Sequence, residues 1–253
     1  MAAMNTSLAF ASFSEPTVET WAAFQAINAQ RRAVRHFDGG LVDDEDIRAV
    51  LAEAQLAPSS NNLQPYRLHW IKDPQLRGAV AAACQNQRAA SSASALIVLV
   101  ASTDYCAQTL DGLSEHIEHY TELSETSRAY HRKQIKTCRR FGYIGRLWLW
   151  APLMALASWI APVLTLLPLG AARTHQWAAR GSLFAAQTLL LAATARGLDS
   201  CPMEGFNALK VARLLKLPRG AIIPLVIALG RRAPDARIEP RWRVRFDQAV
   251  VEH

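Results

Sequence analysis

The sequence predicts one globular domain in which amphipathic helices alternate with buried β-strands, with an apolar insertion near its middle. First, 253 residues, of which 51% are hydrophobic and 19% charged, are enough to bury one large core. Second, segments with helical spacing of apolar residues alternate with short apolar runs typical of strands. Third, the 24 residues from Leu147 to Gly170 include no charged residue. We therefore predict a single domain over 1–253 with an insertion at about 126–173, a basic helix followed by an apolar hairpin.

The first half of the chain contains clear helix and strand signals. Residues 14–32 begin with a cap-like Ser14 and carry apolar residues at helical spacing. Residues 43–58 have acidic side chains in the first turn and an apolar stripe that stops at Pro58. Further predicted elements are strands over 66–72 and 95–102 and helices over 74–90 and 110–123.

The second half continues this pattern after the insertion. Residues 175–197 predict a long helix closed by Gly197. A short helix over 207–217 is capped by Asn207, and residues 221–230 predict a buried strand. Three segments with unusual polar content are predicted to lie outside regular structure: 30–38, 57–66 and 201–206.

The apolar run 147–170 is long enough to cross a hydrocarbon core of about 30 Å at about 1.5 Å per helical residue. However, Pro152, Pro162 and Pro168 lie within it, and each costs about 3 kcal/mol in a helix interior. The run therefore favours a helical hairpin that leaves and re-enters on the same side. A pocket lid, a membrane-surface hairpin and a part of the core all fit this pattern.

The net charge of +7 is concentrated near that run. Residues 126–198 contain ten Lys and Arg residues and no Asp or Glu, whereas the rest of the chain has 18 basic and 21 acidic residues. Cations that flank an apolar segment suit an anionic bilayer surface better than a nucleic acid, which we exclude as a partner. A basic, solvated helix beside a buried hairpin explains the same composition.

Other sequence features indicate the cellular compartment and exclude several classes of enzyme chemistry. The four cysteines are widely spaced, so they suggest neither a disulfide framework nor a metal site. No basic residue precedes the short apolar stretch at the N-terminus, so we expect a cytoplasmic protein, and peripheral contact with a membrane is one of the two open explanations of the basic and apolar insertion. Gly-x-Gly-x-x-Gly, His-Glu-x-x-His and Gly-x-Ser-x-Gly patterns do not occur, which argues against a Rossmann domain and against metal-dependent or serine hydrolysis.

The three irregular segments carry the chemistry. "QRRAVRHFD" (30–38) places three arginines within five residues, a pattern suited to a phosphate and an electron-rich ring. "APSSNNLQPY" (57–66) crowds hydroxyl and amide side chains between a helix and a strand. "CPMEGF" (201–206) has a proline and a glycine around Glu204, just before a helix start, where backbone N–H groups can face a ligand.

In this order, and with the basic "PRWRVR" near the C-terminus, these segments resemble the FMN-dependent nitroreductase family. The resemblance covers about residues 25–100 and 175–245. It implies an α+β fold with a mixed sheet flanked by helices, in an intertwined homodimer with two FMN molecules at the dimer interface. Since one flavin site then needs segments from both sides of the apolar run, that run should not cross a bilayer.

The resemblance also implies which residues bind FMN. Arg31 and Arg32 would reach the phosphate and ribityl chain, and Arg35 the pyrimidine side of the ring, whereas Ala33 departs from the Ser or Thr usual in the family. Some residues of the 57–66 segment would reach the flavin from the other subunit. Residues 202–205 would lie against the flavin near N5. The basic tail would bind the phosphate. Beyond the three arginines, the implied residues are Pro58, Ser59, Asn61, Asn62, Gln64, Pro202, Met203, Glu204, Gly205, Arg241 and Arg243.

The function that this resemblance implies is electron transfer from NAD(P)H, through N5 of FMN, to a nitroaromatic, a quinone or another conjugated small-molecule acceptor. No side-chain acid is essential to that scheme, so no catalytic side chain is assigned. Two alternatives remain: a flavin-dependent dehydrogenase or dehalogenase of the same fold, and a membrane-associated flavin-binding interaction protein with little turnover.

Overall fold

A four-stranded sheet lies at the centre of the computed structural model, which describes residues 17–144, 149–161 and 174–253. The strands follow the order β1-β2-β4-β3, and each neighbouring pair is antiparallel. The parallel component of this α+β fold is an isolated bridge between Ala33 and Ser200. The strands are β1 (Tyr66–Ile71), β2 (Ala95–Ala101), β3 (Asp199–Met203) and β4 (Val226–Gly230).

Helices cover both faces of this sheet. They are α1 (Val18–Gln30), α2 (Asp44–Gln55), α3 (Pro74–Ala83), α4 (Arg88–Ser92), α5 (Thr103–His119), α6 (Glu125–Ile144), α7 (Trp150–Ile160), α8 (Thr174–Ala195), α9 (Ala208–Leu214) and α10 (Phe246–Ala249). All four cysteines lie in the described ranges, and none of them is in a disulfide bond.

The fully buried strand β2 divides the core into two layers. Because successive side chains of a strand point to opposite faces, Leu96, Val98 and Val100 pack in a cluster with residues of α3, α4 and α9. Ile97 and Leu99 pack on the other face with residues of α2 and α8. The central strand therefore reads as a continuous apolar run and is buried along its whole length.

Local capping signals explain most helix boundaries. Thr17 and Thr20 form a reciprocal capping box at the start of α1, whereas the proposed cap at Ser14 lies outside the described residues. The Asp43 side chain caps α2, and Asn207 caps α9. Gly197, with φ of +76°, follows the end of α8.

Two predictions for regular structure were wrong in kind, and two were wrong in their bounds: the helix predicted over 110–123 is α5 (Thr103–His119), and the strand predicted over 221–230 is β4 (Val226–Gly230). Residues 74–90 are not one helix, because Gln85 and Asn86 have φ of 57° and 51° and separate α3 from α4. Residues 201–203 are not a loop, since they pair with β4 as part of β3. Pro202 is compatible with this strand because β3 lies at the edge of the sheet, where a missing N–H leaves no ladder partner unsatisfied.

The insertion is described in part. The basic helix is α6, and α7 occupies the middle of the apolar run, whereas residues 147–148 and 162–170 lie outside the described residues. The hairpin therefore stays a prediction. Within the described ranges, none of the helices is long and apolar enough to cross a membrane.

We predict that Gly230→Ala lowers the free energy of unfolding by about 1–3 kcal/mol, because the added methyl group overpacks the core. A Cβ atom at Gly230 would lie 3.0 Å from Cδ1 of the buried Phe37 and 3.3 Å from the backbone nitrogen of Ser94. Urea unfolding at one protein concentration measures the change.

The matched control is Gly78→Ala in α3, where a Cβ atom would meet nothing within 4 Å. Alanine favours a helix over glycine by up to about 1 kcal/mol, so this variant should be as stable as the parent or more stable. Equal losses in both variants would contradict the proposed clash at Gly230.

Candidate functional site

The end of α1 is tied to the C-terminal tail by one side chain. The helix ends at Gln30, and the Arg241 guanidinium donates hydrogen bonds to the carbonyl oxygens of Asn28, Ala29 and Arg31 at 3.1, 3.1 and 2.6 Å. The last carbonyls of a helix have no partner within the helix, so a cation there is stabilising. Residues 241–243, far away in sequence, are thereby held beside the arginines that follow α1.

A second link joins the same two segments. Arg32 donates through Nη2 to the Glu239 carbonyl of the tail. Within the tail itself, Arg243 donates through Nη1 to the carbonyl of Trp242 at 2.7 Å. Within the described part of the chain, none of these arginines forms an ion pair with a carboxylate. We call this set the arginine cluster: Arg31, Arg32, Arg241 and Arg243.

The arginine cluster concentrates positive charge. Burial lowers the pKa of the Arg31 guanidinium, and the nearby charges of Arg241, Arg243 and Arg32 lower it further. Arg232 shows the opposite environment, since its two hydrogen bonds to the Asp199 carboxylate at 2.9 and 2.6 Å raise its pKa. Because an arginine stays protonated in either setting, the arginine cluster suits a multiply charged anion such as a phosphate.

The arginine-rich segment also lies against β3. The Val34 N–H donates to the Ser200 carbonyl at 3.0 Å, next to the parallel bridge between Ala33 and Ser200. Burial raises the pKa of the Cys201 thiol, and the charge of Arg35 opposes that rise, which indicates that Arg35 lies near the same strand. The first and third polar segments of the sequence therefore meet at the edge of the sheet.

The turn after β3 is braced by a residue that sequence reasoning missed. Gln87 donates through Nε2 to the Gly205 carbonyl at 2.6 Å, and a Cβ atom at Gly205 would lie 3.1 Å from that nitrogen. The Gly205 N–H forms no hydrogen bond with any described residue and is therefore available to a ligand. The sequence did not indicate this role of Gln87, because a single helix over 74–90 would place Gln87 inside a helix and not at the start of α4. The Gln85–Asn86 pair was the available signal, since Asn tolerates the left-handed conformation.

Around this turn, Pro202 is half-buried, Met203 is buried, and Glu204 and Gly205 are exposed. The backbone N–H of Asn207 donates to the carbonyl of Ala83 at 2.8 Å, which fixes the turn to the end of α3. Glu204 and Gly205 are therefore exposed, while the hydrogen bonds from Gln87 and to Ala83 hold the turn in place.

The loop before β1 is ordered by its own polar side chains. Ser59 Oγ accepts from the Gln64 N–H at 2.9 Å, and the Gln64 amide donates to Asn62 Oδ1 at 3.1 Å. Asn61, Asn62 and Gln64 have φ of 51°, 54° and 42°, and Pro58 is exposed. The left-handed residues make a tight, polar loop whose amides are partly used within the loop itself.

This loop borders a cleft of about 630 Å³ between α2, β1 and α5. Its polar lining includes Asn62, Gln64, Arg67, Thr109 and His116. No hydrogen bond between described residues joins the 57–66 loop to the arginine cluster or to residues 201–206. One chain thus brings together three of the four sequence-predicted segments: 30–38, 201–206 and the C-terminal tail. The 57–66 loop has no hydrogen bond to these three segments among the described residues.

Comparisons with known proteins agree with this architecture. The family model described as "Nitroreductase family" matches residues 29–231. Protein DrgA of Synechocystis sp. is 32% identical over 82% of this chain and 83% of its own length. An NADH dehydrogenase of Thermus thermophilus is 27% identical over 88% of this chain and 92% of its own length.

A solved structure shows the same fold. It is a protein of Exiguobacterium sibiricum, described as a nitroreductase and determined in complex with FMN, and it superposes with a TM-score of 0.70 at 20% identity. The superposition covers 91% of this chain and 97% of the other.

We predict that Arg241→Ala frees the tail, because three carbonyl contacts at the end of α1 are lost. Charge-assisted hydrogen bonds contribute about 1.5–3 kcal/mol, so chymotryptic cleavage after Trp242 and Phe246 should accelerate by about tenfold or more. The control is Arg245→Ala, whose side chain pairs with Asp247, two residues away. Cleavage at the parent rate in Arg241→Ala would show that other contacts hold the tail.

Proposed function

This chain belongs to the nitroreductase family, and from that premise we propose that it is an FMN-dependent oxidoreductase. It would accept hydride from NAD(P)H and pass electrons to a nitroaromatic, quinone or other conjugated small molecule. The observation that carries the proposal is the arginine cluster, which gathers positive charge with no carboxylate partner among the described residues. The names of the Thermus relative and of the FMN complex from Exiguobacterium support the nicotinamide and flavin halves of the proposal.

The arginine cluster fits the phosphate end of FMN. A phosphate dianion accepts several charge-assisted hydrogen bonds, each contributing about 1.5–3 kcal/mol when well formed. We propose that Arg31, Arg32 and Arg243 bind the phosphate and the adjoining ribityl chain. Arg241 already donates hydrogen bonds to carbonyls at the end of α1, so it would hold the tail in place and add positive charge near the phosphate.

The edge of the sheet fits the ring end. When bound, FMN supplies a site that accepts a hydride and later donates electrons. Arg35 would stabilise negative charge on the pyrimidine side, while Pro202 and Met203 would lie against the ring. Beside Glu204, the Gly205 N–H would donate to the flavin, since it has no described partner and Gln87 braces the adjoining peptide through the Gly205 carbonyl.

A second copy of the chain would complete this site. We propose that the 57–66 loop of one subunit reaches the FMN held by the other, with Asn62 and Gln64 bonding to the flavin or bracing the loop. The residues contributed across the interface would be Pro58, Ser59 and Asn61. The lack of a hydrogen bond between this loop and the arginine cluster within one chain supports that arrangement.

Uncovered apolar surface in the single chain also supports a homodimer. Trp21 and Phe24 of α1 stack on each other with ring centroids 5.8 Å apart, yet they are 60% and 45% exposed. Phe184 of α8 and Trp242 and Phe246 of the tail are exposed as well. Aromatic side chains left in water on this scale are typical of a protein–protein interface.

We predict that Arg31→Ala and Arg243→Ala each weaken FMN binding tenfold or more, as the loss of about 1.5–3 kcal/mol requires. Riboflavin lacks the phosphate and should bind to these variants almost as it binds to the parent. Quenching of flavin fluorescence gives both affinities. The control is Arg219→Ala, an exposed arginine beyond α9. Unchanged FMN affinity in both test variants would remove the arginine cluster from the phosphate site.

The proposed activity is tested by anaerobic reduction. The purified protein should contain about one non-covalent FMN per subunit, and NADH or NADPH should bleach its flavin absorbance. Adding nitroaromatic or quinone acceptors in turn should restore the absorbance and so identify the acceptor class. A protein that binds FMN but is reduced by neither nicotinamide would contradict an NAD(P)H-dependent oxidoreductase and favour one of the two alternatives, a flavin-dependent dehydrogenase or dehalogenase or the interaction protein.

A further inference from the structure

Helix α7 carries an apolar face that the described structure leaves in water. Its exposed apolar residues recur at intervals of four, three and four, so they lie along one side of the helix, with Trp159 beside them. Trp159 is 83% exposed, whereas Met154 on the opposite side is 9% exposed. We call this face the α7 stripe: Leu149, Leu153, Leu156, Trp159 and Ile160.

The orientation of α7 is the reverse of that expected for a surface helix. An amphipathic helix of a globular protein normally turns its apolar side toward the core and its polar side toward water. Here the large apolar side chains face outward, and α7 carries no charged residue that would solvate that side. Among the described residues, none covers the α7 stripe, which favours an apolar partner at this face.

Helix α6 supplies positive charge next to the α7 stripe along the chain. Lys133, Lys136 and Arg140 are spaced three and four residues apart, so they share one side of α6, and the buried Ile135 lies on the other. All three are exposed and form no ion pair with any described residue. We call them the α6 cations. Only residues 145–149 separate α6 from α7.

Other cations of α6 are already neutralised. Arg132 forms a bidentate contact with Glu118, at 2.7 and 2.6 Å, and Arg139 pairs with Asp111 at 2.7 Å. These pairs tie α6 to α5, whereas the α6 cations have no such role. Their charge is available to a partner.

We propose that the α7 stripe and the α6 cations together dock on an anionic lipid bilayer surface. A bilayer offers an apolar layer for Leu and Ile side chains, an interfacial region that Trp favours, and negative headgroups for Lys and Arg. The absence of Asp and Glu over residues 126–198 removes the repulsion that an anionic surface would otherwise exert there.

Charge argues against a second copy of this chain on the α7 stripe. A symmetric contact brings identical patches together, so it would place two sets of α6 cations near each other. The 126–198 segment contains no carboxylate that could neutralise them. An anionic bilayer provides both an apolar layer and negative charge. A second copy of this chain would provide only an apolar surface.

Vesicle sedimentation with the full-length protein tests the proposal. The parent should bind vesicles of phosphatidylcholine mixed with phosphatidylglycerol and bind phosphatidylcholine alone far more weakly. The triple variant Lys133→Gln, Lys136→Gln, Arg140→Gln should lose on the order of 100-fold in affinity for the anionic vesicles, since each surface cation contributes about fivefold. Added salt should weaken the parent's binding because these charges are screened.

A second variant tests the apolar half. Leu153→Ser with Leu156→Ser should weaken binding to the anionic vesicles at least tenfold, on the order expected for removing two buried aliphatic side chains. Both leucines are exposed in the chain, so the variant should keep the parent's circular dichroism and flavin content.

Matched controls test whether the position of the removed side chains matters, and not only the total charge or the total apolar surface of the protein. Lys210→Gln, Arg213→Gln, Arg219→Gln removes three exposed charges around α9, and Leu41→Ser with Leu209→Ser removes two exposed leucines elsewhere. Both controls should bind vesicles as the parent does.

Three results would overturn the proposal. The parent could fail to bind anionic vesicles, or the controls could lose as much affinity as the test variants. Alternatively, the leucine variant could change the sedimenting mass of the protein without changing vesicle binding, which would assign the α7 stripe to an interface between copies.

Discussion

The positive charge gathered at the arginine cluster is the constraint on which the proposed site depends. Four guanidinium groups repel one another, and three of them, those of Arg32, Arg241 and Arg243, donate to backbone carbonyls instead of carboxylates. Carbonyl oxygens satisfy donors without cancelling charge, so the arginine cluster stays strongly positive. This arrangement joins segments 213 residues apart in sequence into one place where an anion is stabilised.

The edge of the sheet relates that charge to the turn that follows β3. The Val34 N–H bonds to the carbonyl of Ser200, which places the arginine-rich segment beside the strand that leads into Gly205. Gln87 then fixes the Gly205 carbonyl from the side of α4. A buried sheet thus holds the arginine-rich segment and the turn after β3 at set positions, which is how rigid elements commonly support binding residues on loops.

Local features of the fold were predictable because their causes lie within a few residues. The cap at Asn207 and the glycine after α8 depend on neighbouring backbone groups alone. The misses have non-local or conformational causes: β3 forms because β4 pairs with it, and the break at 85–86 depends on two residues in the left-handed region. Gln87, which follows that break, could not be recognised until the helix was divided.

The sequence alone determined the order of the polar segments, the residue types available for a phosphate and a ring, and the apolar and basic character of the insertion. Tertiary structure decided which of them meet: Arg241 bonds to carbonyls, Arg35 lies by β3, and the 57–66 loop has no hydrogen bond to either within the described chain. It also decided that the α7 stripe faces water. Periodicity reveals that a helix has an apolar face, but what covers that face depends on contacts between distant parts of the chain or with another partner.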